Sequence, residues 1–188
     1  ETRDVVYANK TNRYILFEKN NALYLYNSKK KDDTTKALNA LYEGYYEAVN
    51  SSEYFITQSD YYTLSGEIVA VQDGTYRYSI ILDNPQIAMY DVVMMGVENN
   101  IEYSKAKKMM PSIGLLSDKY SLIPFQSNSE KNYVKGLVIS GESKEASVQL
   151  KLLVEWSNRL RDKQYREFFD ITLDENGISF NSNLESNE

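Results

Sequence analysis

The sequence contains no cysteine and no histidine. Without Cys, disulfides, thiolate zinc sites, iron–sulfur clusters and Cys nucleophiles are excluded. Without His there is no Ser-His-Asp triad and no imidazole metal ligand, and the commonest general base near neutral pH is missing. A Gly-rich phosphate loop and a GxSxG elbow are also absent. No apolar run approaches the roughly 20 residues that a bilayer-spanning helix needs. Three Pro and eight Gly supply no linker that would divide the 188 residues, so a single domain over 1–188 is expected.

Charge excludes a further class. The net charge is −6 and no large basic block offsets it. Lys29, Lys30 and Lys31 are answered at once by Asp32 and Asp33, and Lys105, Lys107 and Lys108 form the only other basic cluster. Binding to a phosphate backbone needs a concentrated basic surface, so no nucleic-acid partner is expected.

What the chain has in quantity is tyrosine: 17 Tyr stand beside six Phe and one Trp. Tyr suits half-buried strands, because its ring packs while its hydroxyl reaches water or a partner. The patterning agrees. Residues 13–27 place two apolar, aromatic runs around Lys19-Asn20-Asn21, a hairpin signal. Residues 28–33 read as a solvated loop, after which Thr34 or Thr35 caps a helix. Leu38, Leu41, Tyr45 and Ala48 mark its apolar face, and Asn50-Ser51-Ser52 stops it.

Beyond the helix the pattern turns to β. Tyr54–Thr57 reads as extended. The run at 61–72, Asp73-Gly74 and the run at 75–82 read as a second hairpin, ended by Asp83-Asn84-Pro85. Residues 90–97 predict a buried strand. Residues 98–131 hide an element, with a short helix expected over 102–110 before Pro111. A strand is expected over 133–140, with Gly141 opening a turn. Val148, Leu150, Leu152, Val154 and Trp156 alternate at period 2, which predicts a half-buried strand. Tyr165, Glu167, Phe169, Ile171 and Leu173 mark its returning partner, closed by Asp174-Glu175-Asn176-Gly177. Residues 181–188 read as a frayed tail. The expected fold is mainly β (α+β): an antiparallel sandwich, or a bent antiparallel sheet, with one main helix packed on it.

Carboxylate pairs are the one catalytic route left open, since glycoside hydrolysis needs only two acids across a cleft. Glu67, Glu155 and Glu167 are the strand-borne candidates. Glu155 and Glu167 could face each other across the final hairpin. Glu155, opposite the apolar stripe, is expected to lie in solvent and to form an ion pair with a neighbouring Arg. Asp32-Asp33 reads as a solvated pair rather than a metal site, and Asp174–Gly177 as a β-turn rather than a calcium loop. Met94-Met95 and Met109-Met110 read as core filler. Asn9-Lys10-Thr11 and Asn50-Ser51-Ser52 match the glycosylation sequon. No catalytic, cofactor-binding or metal-ligating residue is assigned.

The balance favours a non-catalytic extracytoplasmic module of a bacterial envelope or surface protein, acting through a protein partner or by self-assembly. The alternatives are a scaffold subunit of a secretion or conjugation channel and a carboxylate-dependent glycan hydrolase. The opening Glu1-Thr2-Arg3 lacks an initiator Met, so any attachment to a membrane is expected through a segment outside this sequence.

Overall fold

The computed structural model describes residues 4–9, 14–19 and 22–181, with side chains from Thr34 to Asn181. The chain divides into two compact units, Glu1–Tyr42 and Glu43–Glu188.

In the first unit, β1 (Asp4–Asn9), β2 (Tyr14–Lys19) and β3 (Ala22–Asn27) form an antiparallel sheet in chain order. Lys19 pairs with Ala22, so the two strands of the predicted hairpin pair, while its turn residues Asn20 and Asn21 lie outside the described residues. The helix α1 (Ser28–Asn50) follows without an intervening loop. The charged stretch 28–33 is therefore helical, which corrects the expected loop. Lys is a good helix former, so a charged sequence there does not require an irregular backbone. Leu38 and Leu41, placed on the apolar face from spacing, are exposed at 42% and 44%. The buried stripe is instead Tyr42, Tyr46 and Val49, at i, i+4 and i+7. The side chains of Asp32 and Asp33 lie outside the described residues.

The second unit is mainly β. Its elements are β4 (Thr63–Ala70), β5 (Tyr76–Asp83), β6 (Met89–Glu98), β7 (Ser112–Ile113), β8 (Tyr120–Leu122), β9 (Tyr133–Val134), β10 (Gly136–Ser143), β11 (Val148–Ser157), β12 (Gln164–Asp174) and β13 (Gly177–Phe180). One sheet has the order β10-β5-β4. The other has the order β13-β12-β11-β6-β8-β9, with β7 also paired to β6. Neighbours are antiparallel except β8 and β9, which run parallel. The Asp73-Gly74 hairpin forms as predicted. Gly74 takes φ +80°, and the Asp73 carboxylate accepts bonds from the Thr75 N–H and hydroxyl at 3.0 and 2.6 Å.

The two sheets pack face to face. Tyr78, Ile80, Leu82, Leu137 and Ile139 on one side meet Val148, Leu150, Leu152, Val154, Phe169, Ile171 and Leu173 on the other. Full burial of each large side chain contributes about 1.5–3 kcal/mol. A second buried layer lies on the far face of the larger sheet, where Val93, Met95, Val97 and Leu153 are covered. The last turns of α1 lie on that face, because Tyr45 bonds Glu155 of β11 and the backbone carbonyl of Asn50 accepts from Lys151 Nζ. β6 can therefore be apolar on both faces, and so can the second half of β11.

Several local expectations are overturned. Tyr54–Thr57 forms no strand: Ile56 N–H bonds Phe168 O at 2.9 Å, but no ladder follows. The helix expected over 102–110 shrinks to one 3-10 turn at Tyr103–Lys105. That segment is used for tertiary bonds, since Ile101 O accepts from Tyr46 Oη and Asn50 Nδ2. Gly141 lies inside β10 and not in a turn. β13 was not anticipated. Asn181 is tied to Asp170 by its N–H and its side chain, each at 2.8 Å, whereas 182–188 lie outside the described residues.

Candidate functional site

The three strand acids singled out from the sequence go to three different places. Glu67 is exposed on the outer face of β4. Glu155 pairs in register with Arg166 while Glu167 pairs with Val154, so these two acids project from opposite faces of the sheet. They do not face each other, and the arrangement offers no two-acid cleft.

Glu155 is 4% exposed, which corrects the expected solvent position. Period 2 identifies an outer face but not whether another element covers it, and here α1 does. Arg166 Nε donates to Glu155 Oε2 at 2.8 Å, and Nη2 donates to the same oxygen. Tyr45 Oη donates to Oε1 at 2.5 Å. The Arg166 guanidinium also lies over the Tyr45 ring, 5.5 Å from its centroid. Burial, then the bond to Glu155 and its charge, push the Tyr45 phenol up to about 12. The predicted ion pair therefore exists, but it fastens the helix to the sheet rather than sitting on the surface.

A second buried acid, Glu98, escaped the sequence reading. It ends β6 on the inward face shared by Val92, Met94 and Gly96, and that spacing was the signal available. Tyr78 Oη donates to Glu98 Oε1, and Lys108 Nζ bridges that oxygen at 2.8 Å and the carbonyl of Glu142 at 2.7 Å. Burial, followed by the bond to Glu98 and its charge, raises the Tyr78 pKa. Gly141 pairs opposite Tyr78. A Cβ there would run into the phenol ring and hydroxyl, so glycine makes room for this network.

The third polar cluster differs because it is left open. Trp156 stacks on Tyr165 at 5.6 Å and meets Tyr61 and Tyr62 edge-on at 5.5 and 5.8 Å. Trp156 Nε1, Tyr62 Oη and Glu167 Oε2 are buried and close no hydrogen bond among the described residues. Burial, then the neighbouring Glu167 carboxylate, raise the Tyr62 pKa. An unpaired buried polar atom costs about 1–3 kcal/mol. Beside this cluster opens a cavity of about 520 Å³, lined by Tyr62, Phe169 and Phe180 and by the polar segment 57–60.

At the surface, Phe125 is fully exposed. It occupies the third position of the turn Ile123-Pro124-Phe125-Gln126, closed by Gln126 N–H to Ile123 O at 3.1 Å. Its φ is +60°, a left-handed value that a type II turn ordinarily gives to Gly or Asn.

The remaining sequence candidates take structural places. Asn50, in a sequon, donates its amide to Ile101 O at 2.9 Å. Met94, Met95 and Met110 are buried, whereas Met109 is exposed. Asp174 accepts from Asn176 N–H at 2.8 Å in a tight turn before Gly177. Among the described residues there is no cluster of three acids able to hold a metal ion, and no helix is long and apolar enough to cross a membrane. Comparison with protein-family models, curated proteins and solved structures found no match.

Proposed function

We propose that this chain is a non-catalytic recognition module of a bacterial envelope or surface protein, working outside the cytoplasm on a protein partner. The observation that carries the reading is Phe125. A left-handed backbone costs a bulky L-residue about 1–2 kcal/mol. Leaving the ring in water forgoes a further 1.5–3 kcal/mol, approximately, of burial energy. Nothing within the described residues recovers either term. The turn is held from behind by Leu122 and Ile123, both buried, so the ring is presented on a fixed support.

A pocket on another protein fits this display better than a lipid surface does. Gln126-Ser127-Asn128-Ser129 carries no charge for anionic headgroups. One ring is also a weak membrane anchor, given that even a whole myristoyl chain binds only marginally. Aromatic side chains seated in a partner's pocket, by contrast, dominate many protein interfaces. The extracytoplasmic placement rests on composition alone: the absence of Cys and a Tyr-rich sheet.

The test places a photoreactive phenylalanine analogue at position 125 in the native host, with the same analogue at exposed Val69 for comparison. A discrete protein adduct from position 125 and none from position 69 is expected. Equal labelling from both positions, or no adduct from 125, refutes the reading. Phe125→Ala should leave the urea midpoint unchanged or raised; a marked loss would make Phe125 structural and would equally refute it.

A further inference from the structure

The cavity beside the Trp156 cluster has a chemistry that selects its occupant. Its rim carries the carboxylate of Asp60, the amides of Gln58 and Gln86 and the hydroxyl of Thr57, and its floor holds Phe169 and Phe180. The two Phe rings lie 5.9 Å apart and tilted, with Phe180 partly exposed. The side chains of Gln58 and Asp60 make no hydrogen bond to a described residue, although both stand at the mouth. Tyr62, only 5% exposed, also lines the space, and its hydroxyl has no partner among the described residues.

Among the described residues no Lys or Arg lines the cavity, so a phosphate or carboxylate would meet Asp60 with no described cation to neutralise it. A cation would gain little from one exposed carboxylate in water. A ligand that donates to Asp60, exchanges both kinds of hydrogen bond with two amides and lays an apolar face on Phe180 satisfies the whole wall. Adjacent hydroxyls over a C–H face have that character. The volume, about 520 Å³, lies within the usual range for small-molecule sites. We infer that this cavity binds a neutral saccharide, held by Asp60, Gln58 and Gln86 against Phe180, without hydrolysing it. The inference is independent of the role given to Phe125.

The chain has one Trp, and it lies 5.8 Å from the Tyr62 ring, so its fluorescence reports on the cavity. The full chain would be titrated with maltose, cellobiose and diacetylchitobiose, and with arginine amide and a hexose phosphate as charged comparators. A saturable fluorescence change with at least one neutral disaccharide is expected. Gln58→Ala combined with Asp60→Ala should weaken it by about tenfold or more, as the loss of two hydrogen bonds implies, at an unchanged urea midpoint. Three results would each overturn the assignment: no saturation with any disaccharide, tighter binding of a charged comparator, or undiminished binding by the double variant. Because the substituted residues are solvent-facing, a large drop in the urea midpoint would also overturn it, by making them structural.

Discussion

Replacing Arg166 by Met tests whether Glu155 is a structural acid. The substitution keeps much of the side chain's apolar length and removes both donors to Glu155 Oε2. The carboxylate would then stay 4% exposed with Tyr45 as its remaining partner. Breaking a buried pair from one side costs about 3–5 kcal/mol, because an uncompensated charge is left behind. Arg166 keeps 42% of its side chain in water, so solvent can partly replace it and the lower end, about 3 kcal/mol, applies. At roughly 2–4 °C per kcal/mol, Tm should fall by about 6–12 °C. Adding Glu155→Gln should recover much of that loss, since the charge itself is then gone. Urea unfolding of both single variants and the double variant measures the coupling. Hydrogen exchange at residues 45–50 should show the end of α1 loosening in Arg166→Met. A loss below about 1 kcal/mol would mean that the pair behaves as a solvated one, and the argument for a helix clamp would fail.

Other outcomes follow from the same networks. The Tyr45 phenol ionises near pH 10 in the unfolded chain and near 12 in the folded one, so the folded state holds its proton longer. Its contribution to stability is complete below about pH 10 and is lost as the pH rises towards 12. Tyr45→Phe should flatten that part of the alkaline stability curve, as urea midpoints across the range would show; an unchanged slope would contradict the assignment. Gly141→Ala should cost about 1–3 kcal/mol by forcing the Tyr78 phenol away from Glu98, and a neutral result in thermal unfolding would show that the ring moves freely. Phe125→Gly removes the strained φ and the exposed ring, so its Tm should equal or exceed that of the parent chain despite glycine's entropy cost; a fall of several degrees would count against the strain argument.

Two left-handed residues meet at the bulge of β6, one within the strand and one from the segment between β11 and β12. Asp91 has φ +52° and sits where β6 carries one residue more than β11 between paired positions. The bulge falls where β6, lying between β11 and β8, pairs with both. Arg161, itself at φ +59°, donates to Asp91 at 2.7 Å and lies 5.1 Å from the Tyr90 ring centroid. Neither residue type signals a left-handed backbone as Gly would, and the apolar run around Asp91 reads simply as a strand.

Short-range chemistry was open to inspection from the residues alone. Asn20-Asn21 and Asp73-Gly74 mark hairpins because the turn needs only its own few residues, and Asp83-Asn84-Pro85 ends a strand for the same reason. The period-2 stripe from Val148 to Trp156 predicts the inward face, because alternation is a property of one strand. The absence of Cys and His removes whole classes of chemistry whatever the fold. What lies on a strand's second face is settled by residues far along the chain, and no window around Glu155 contains Tyr45. The same holds for Glu98, which needs Tyr78 and Lys108, for Gly141, whose missing side chain is explained only by a ring on another strand, and for the cavity formed by residues 57–60, 62–64, 86, 169 and 180. Local backbone preference acts over a few residues, whereas burial of charge depends on which distant surfaces meet, and only the folded chain decides that.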